Sequence, residues 1–77
     1  MTAVTLRRID PSRNMRRFYA LNVQPDLFGG FLLMKQWGRI GTVGRIAAER
    51  FDGADLADRA LSRQLQRKQR RGYRLVD

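Results

Sequence analysis

The sequence contains no cysteine and no histidine. These two absences exclude disulfide bonds, thiolate nucleophiles, zinc fingers and imidazole general bases. Acidic residues are also scarce, and the cluster Asp52, Asp55 and Asp58 has a spacing that the capping of a helix explains. The carboxylates therefore complete no general acid and base set. The sequence predicts a protein that is not an enzyme and that uses no metal and no cofactor.

Long apolar runs are missing as well. The longest covers residues 31–34, far short of the ~20 residues that span a bilayer, and residues 1–8 lack the apolar core of a secretory leader. We therefore expect no membrane association and a cytoplasmic location, with association with the nucleoid left open.

Positive charge is abundant. Sixteen Lys and Arg against seven Asp and Glu give a net charge of +9, and fourteen of the sixteen are arginine. The guanidinium fork suits phosphate, so the excess predicts a polyanionic partner, with nucleic acid first. The preference for arginine over lysine has a second explanation, because GC-rich DNA favours arginine codons. The prediction therefore depends on the excess of positive over negative charge.

The length and the turn signals predict one small domain over residues 1–77. A chain of 77 residues buries only roughly 60% of its unfolded surface, which allows a single core. Strands are expected at residues 4–9, 15–23, 31–39 and 45–51, the first of them at an edge. Connections this short favour antiparallel pairing. The predicted fold is α+β, an antiparallel meander of about four strands with one C-terminal helix packed on one face.

The helix begins after residue 51. Asp52 is the predicted N-cap, Asp55 its capping-box partner, and Phe51 and Leu56 have the spacing of a hydrophobic staple. Gly72 is the predicted left-handed cap at the other end. Residues 73–76 are expected to return to the sheet. The stripe that must pack on the sheet is Ala57, Ala60, Leu61 and Leu65.

A single tryptophan lies where the third strand is expected to end. Trp37-Gly38-Arg39 is followed by Gly41 and Gly44, which supply the positive φ values of a tight turn. The end of a strand presents side chains to a partner, and a glycine beside an indole lets a ligand backbone or sugar approach closely. Core packing is the alternative for a lone tryptophan in a small sheet.

Trp37-Gly38-Arg39 in this setting resembles the signature of the WGR domain. The resemblance covers about positions 15 to 74, with residues 18–23 before the motif, residues 40–44 after it, and a terminal helix that ends near Gly72 and Tyr73. In the WGR domains of poly(ADP-ribose) polymerases, this tryptophan packs on the terminal sugar of a DNA end. The arginine lies at the edge of that contact or bridges to a neighbouring domain. Those enzymes carry further modules in a long chain, whereas we expect this chain to be a stand-alone domain, so Arg39 would meet phosphate or a separate protein.

Composition and resemblance together predict a non-catalytic module that binds DNA ends, nicks or the phosphate backbone without reading base sequence. A protein-interaction adaptor that docks on a partner enzyme is the alternative, and RNA remains open as a ligand. Whether the basic clusters share one face with the tryptophan also remains open. The predicted nucleic-acid-binding residues are Trp37, Gly38, Arg39, Lys35, Arg16, Arg17, Arg45, Arg67, Lys68, Arg70, Arg71 and Tyr73.

Overall fold

The structure, a computed structural model, describes residues 2–76. Within them the elements are β1 (Ala3–Asp10), β2 (Met15–Pro25), β3 (Phe31–Arg39), β4 (Arg45–Phe51), α1 (Ala54–Arg70) and β5 (Arg74–Leu75), with one 3₁₀ turn at Pro11–Arg13. All the strands join one antiparallel sheet in the order β4-β3-β2-β1-β5. The predicted α+β class, the meander and the C-terminal helix are confirmed. No helix in this region is both long enough and apolar enough to cross a membrane.

The predicted number of strands is wrong, because β5 adds a fifth. Residues 74 and 75 pair with Arg7 and Leu6 of β1, so β1 lies inside the sheet over that stretch and not at its edge. A strand of two residues is too short to show the alternation by which strands are recognised. The expected return of residues 73–76 to the sheet is confirmed, and the hydrogen bond from Val76 N to Thr5 O (2.9 Å) extends the pairing.

The core lies between α1 and one face of the sheet. Alternate residues of the strands point to this face, and the fully buried leucines Leu6, Leu21 and Leu33 come from three adjacent strands. Ala57 and Leu61 cover them, with Ala60 and Leu65 packed alongside, as the helical stripe predicts. Burying each leucine contributes about 1.5–3 kcal/mol, so this one contact surface supplies most of the hydrophobic stabilisation.

The helix begins differently from the prediction. Its N-cap is Gly53, in an extended conformation and without a side-chain cap hydrogen bond. The Asp52 carboxylate instead accepts a hydrogen bond from the Arg50 guanidinium at 3.0 Å. Asp52 therefore lies one residue before the N-cap, and its carboxylate contacts a strand residue and not the first turn of the helix. Asp55 lies in the first turn as expected, but Leu56 is about half exposed.

The helix ends as predicted. Gly72 has a φ of +94°, and its N–H donates to the carbonyl oxygen of Gln69 at 3.1 Å. The N–H of Tyr73 donates to the Lys68 carbonyl oxygen, also at 3.1 Å. This left-handed cap reverses the chain. It also directs the Tyr73 side chain into the core next to Tyr19.

Candidate nucleic-acid interface

Trp37 lies at the rim of the core. Pairing places it between Tyr19 on β2 and Arg45 on β4. Its ring stacks on that of Tyr19, with the centroids 5.9 Å apart and the planes inclined by 19°. Tyr73 meets Tyr19 edge to face at 6.2 Å. The indole is therefore half-buried, supported from inside the protein and accessible from outside.

The accessible part of Trp37 lines a cavity of about 350 Å³. This cavity, called here the Trp37 pocket, lies where β2 begins and β3 ends, with Tyr73 on a third side. It brings together five of the residues predicted from the sequence. Its lining is Arg13, Asn14, Met15, Arg17, Trp37, Gly38, Arg39 and Tyr73.

A row of arginines crosses the sheet at the pocket, and two of its three members line it. Arg8, Arg17 and Arg39 are directly paired across β1, β2 and β3, on the face that carries Trp37 and roughly 7 Å further along the strands. Arg39 donates a hydrogen bond to the Asn14 carbonyl oxygen at 3.3 Å. In the described part of the chain, none of the three forms a salt bridge. Like charges placed side by side repel, so an anion bound across this row would relieve the repulsion.

Lys68, near the end of the helix, lies next to the aromatic rings that support Trp37. Its ammonium nitrogen lies 4.5 Å from the centroid of the Tyr19 ring and 5.6 Å from that of Tyr73. Burial lowers the pKa of Lys68, and the nearby positive charges of Arg71, Arg67 and Arg17 lower it further. The structure thus places the basic end of the helix and the basic start of β2 on one face with Trp37.

Two of the predicted residues lie elsewhere. Arg16 precedes Arg17 on β2 and therefore points to the opposite face, where its register partner is Ile9. Arg70 is exposed on the helix and does not line the Trp37 pocket. The sequence could not exclude them, because both belong to runs of cations in which only the three-dimensional path decides the direction of each side chain.

Lys35 and Arg45 lie beside the Trp37 pocket and not in it. Arg45 is exposed on β4 directly opposite Trp37. The Lys35 ammonium lies 3.9 Å from the Glu49 carboxylate. Lys35 also lines a separate shallow groove of about 190 Å³ with Arg67. Lys35 and Arg67 extend the positive surface along the helix, and Arg45 extends it onto β4.

The turn after β3 explains why residue 38 is glycine. A Cβ on Gly38 would lie 2.8 Å from the Gly44 Cα, and one on Gly44, whose φ is +71°, would collide with the Trp37 carbonyl oxygen. The chain's own turn therefore gives a packing reason for glycine at position 38, and the expectation that Gly38 makes room for a ligand stays a prediction. Hydrogen bonds from Gln36 Nε2 to Val43 O and from Thr42 Oγ1 to Arg39 O, both 2.7 Å, hold the turn.

Four residues of the site were not among the predicted set: Arg8, Arg13, Asn14 and Met15. They lie around the turn that joins β1 to β2, more than twenty residues before Trp37. Asn14 adopts a left-handed conformation with a φ of +51°, and asparagine in a short turn is the one signal that could have drawn attention to it. The register between β2 and β3 brings this turn to Trp37.

In a pocket of this kind the aromatic edge of Trp37 can pack on a sugar or a base while Arg17 and Arg39 neutralise phosphates. Comparison with known sequences agrees with this class of protein. The WGR domain family model matches residues 2–77, so the chain belongs to the WGR family. This family is known as a nucleic-acid-binding module in poly(ADP-ribose) polymerase-like proteins.

A relative in Sinorhizobium fredii (strain NBRC 101917 / NGR234), the uncharacterized protein y4dW, is 46% identical over 67 residues. The matched region covers 87% of this chain and 33% of that relative. The chain therefore spans about a third of the length of the curated relative.

Proposed function

We propose that this protein is a non-catalytic module, folded as one domain, that binds DNA at ends and nicks without reading base sequence. The observation that carries the proposal is the position of Trp37 at the mouth of a pocket flanked by Arg17 and Arg39. An intact duplex hides its sugars and base faces between neighbouring nucleotides. A discontinuity exposes a terminal sugar and base on which an indole can pack.

The side chains around Trp37 divide the work. Tyr19 stacks on the indole and fixes its orientation, so little side-chain entropy is lost on binding. Arg17, Arg39 and Lys68 neutralise the phosphates on either side of the discontinuity and release counterions. Guanidinium groups can hold two phosphate oxygens at once, which sets the direction of the strand across the pocket.

The helix supports binding to the backbone and not readout of bases. Ala57 and Leu61 commit one of its faces to the sheet. Three of its five cations lie in the last turn, and one of these, Lys68, lies over the ring of Tyr19 beside the Trp37 pocket. A recognition helix instead presents side chains along a free face to the edges of bases in the major groove. Specificity therefore comes from the shape of the DNA.

The experiment compares Trp37→Leu with Phe31→Leu. Both residues are partly buried aromatics on the same strand and face, but Phe31 lies near the β2–β3 loop, far from the arginine row. Binding is measured by fluorescence anisotropy to a blunt duplex and a nicked duplex, with a covalently closed circle as competitor. We expect Trp37→Leu to lose the preference for ends and nicks while it keeps the weaker binding to intact duplex. Phe31→Leu should keep both.

Equal preference for discontinuities in the wild type and Trp37→Leu would refute the proposal. Stronger binding of RNA duplex or single-stranded RNA than of nicked DNA would show that RNA, and not DNA, is the ligand of this site. The adaptor function, in which the same surface docks on a partner enzyme, predicts that Trp37→Leu leaves binding of every nucleic acid unchanged.

A further inference from the structure

Two large apolar side chains stand almost free in solvent at the loop between β2 and β3. Leu27 is 95% exposed and Phe28 is 85% exposed. The loop that carries them is closed by a hydrogen bond from Asp26 N to Gly30 O at 2.8 Å, and Gly29 has a φ of +89°. Leu27 and Phe28, called here the apolar tip, are therefore presented by a well-formed turn.

An ion-pair network holds this turn against the rest of the molecule. The Arg50 guanidinium contacts the Asp26 carboxylate at 2.7 Å and the Asp52 carboxylate at 3.0 Å. Two carboxylates and one guanidinium therefore lie at the base of the apolar tip. Acidic surroundings disfavour nucleic acid and anionic lipid as the occupant, and favour an apolar surface bordered by cations.

The same molecule carries such a surface at the outer edge of the sheet. A groove of about 550 Å³ lies along β1 and β5. Its apolar part is formed by Ile9, Leu75 and Val76, which are 51%, 48% and 40% exposed. Its cations are Arg7, Arg8 and Arg74. These three arginines and the three apolar residues are called here the β5 groove. The Asp10 carboxylate also lines the groove. It accepts a hydrogen bond from the Ser12 hydroxyl and forms a salt bridge with Arg13.

The apolar tip and the β5 groove cannot meet within one molecule. The tip follows Pro25, whereas Arg7 in the groove pairs with Phe18, seven residues earlier on β2. Seven residues of strand correspond to roughly 23 Å. The groove shares no lining residue with the Trp37 pocket, although Arg8 belongs both to the groove and to the arginine row. Any contact between tip and groove is therefore a contact between two copies.

We propose that copies of this chain associate head to tail, with the apolar tip of one inserted into the β5 groove of the next. Two molecules of charge +9 repel each other over most of their surfaces, and this pairing sets carboxylates against guanidinium groups while it covers apolar side chains. Because the two surfaces differ, the contact leaves a free tip and a free groove at the ends of every open assembly. A short tip covers little area, so the association is weak and depends on concentration. Each added copy repeats the Trp37 pocket along the assembly.

The test is sedimentation velocity over a concentration series, on protein freed of nucleic acid by nuclease and high-salt washing. A tip variant carries Leu27→Ser and Phe28→Ser, and a groove variant carries Ile9→Ser and Arg74→Glu. All four residues are exposed, so both variants should fold, which thermal unfolding checks. We expect the average mass of the wild type to rise with concentration and each variant to remain monomeric.

Mixing the two variants gives the decisive result. The tip variant keeps its groove and the groove variant keeps its tip, so an equimolar mixture should form a 1:1 heterodimer and nothing larger. A wild type that stays monomeric at every concentration would overturn the proposal, as would a mixture that stays monomeric. Ile46→Ser is the matched control, because Ile46 is 60% exposed on β4 away from both surfaces. Loss of association in this control, with association retained in the tip variant, would assign the contact to the uncovered face of the sheet and also overturn the proposal.

Discussion

Trp37 belongs to the core and to the surface at once. Its contact with Tyr19 is of the kind that contributes about 0.5–1.5 kcal/mol beyond the burial of area. The rest of the ring lines the Trp37 pocket. Substitution of this residue therefore changes the stability and the binding together, and only a comparison with an aromatic residue of similar burial, such as Phe31, separates the two effects.

Lys68 gives the proposed interface a dependence on pH. Burial and neighbouring arginines hold the pKa of Lys68 below the ordinary value of 10.5. The ammonium loses its proton as the pH rises through this lowered pKa, whereas the arginines keep their charge. We expect DNA affinity, measured by anisotropy at constant ionic strength over a pH series that ends at the ordinary value of 10.5, to fall within that range as the ammonium loses its proton.

Lys68→Arg is the control for this effect. A guanidinium stays charged throughout the range, so the variant should bind with nearly constant affinity. A wild-type affinity that is flat in pH would show that the Lys68 charge takes no part in binding. The same decrease in Lys68→Arg would assign the effect to another group.

The turn between β3 and β4 fixes the position of Trp37. Gly41 and Gly44 both have positive φ values, but a Cβ meets nothing within 4 Å at Gly41 and collides with the Trp37 carbonyl oxygen at Gly44. Gly41→Ala should lower the free energy of unfolding by about 1 kcal/mol, from backbone strain alone. Gly44→Ala should lower it by roughly 2 kcal/mol or more, because the collision is added. Urea unfolding measures both, and equal losses would contradict the proposed collision.

Arg50 ties the β2–β3 loop to the junction between β4 and the helix. Its hydrogen bond to Asp26 is the main cause that lowers the pKa of that carboxyl below 3.8. A carboxyl whose pKa is lowered by folding contributes stability above its unfolded pKa, and this contribution is lost as the pH falls through the lowered value. Arg50→Gln should return the pKa of Asp26 towards 3.8, as followed by the carboxyl chemical shift in an NMR titration. An unchanged titration curve would show that the ion pair does not persist in solution.

Charge is distributed unevenly over the whole molecule. The arginine row and the end of the helix lie at the Trp37 end, whereas Asp26, Asp52 and Asp55 lie at the other. A duplex end should therefore meet the molecule in one orientation. Polarity of this kind also raises the rate of encounter with a polyanion at low salt.

The salt dependence of binding reports how many phosphates this end contacts. For B-DNA, each neutralised phosphate adds about −0.9 to the slope of log K against log salt concentration. Arg39→Gln should make the slope shallower by about 0.9. Arg59→Gln, which changes an exposed arginine in the first half of the helix, should leave it unchanged. A wild-type slope near zero would rule out binding through phosphates.

Much of the fold could be predicted from local patterns. The bounds of β4, the stripe on the helix and the Gly72 cap agree with the structure because alternation, helical periodicity and glycine conformation are local properties. The cap at Asp52 was predicted wrongly: the helix begins one residue later, with Gly53 as its N-cap, and the Asp52 carboxylate contacts Arg50. β5 escaped the count because its partner in pairing lies almost seventy residues away.

The candidate site also has a part that the sequence predicts and a part that depends on the fold. By itself the sequence determined the positive charge, the motif around Trp37 and the family, since each depends only on which residues are present and in what order. The tertiary structure alone decided which cations surround the indole. Strand register pairs Arg8 and Arg39 with Arg17, and the alternation of side chains along β2 sends Arg16 to the other face. Register arises from the packing of the whole sheet, which no single stretch of sequence contains.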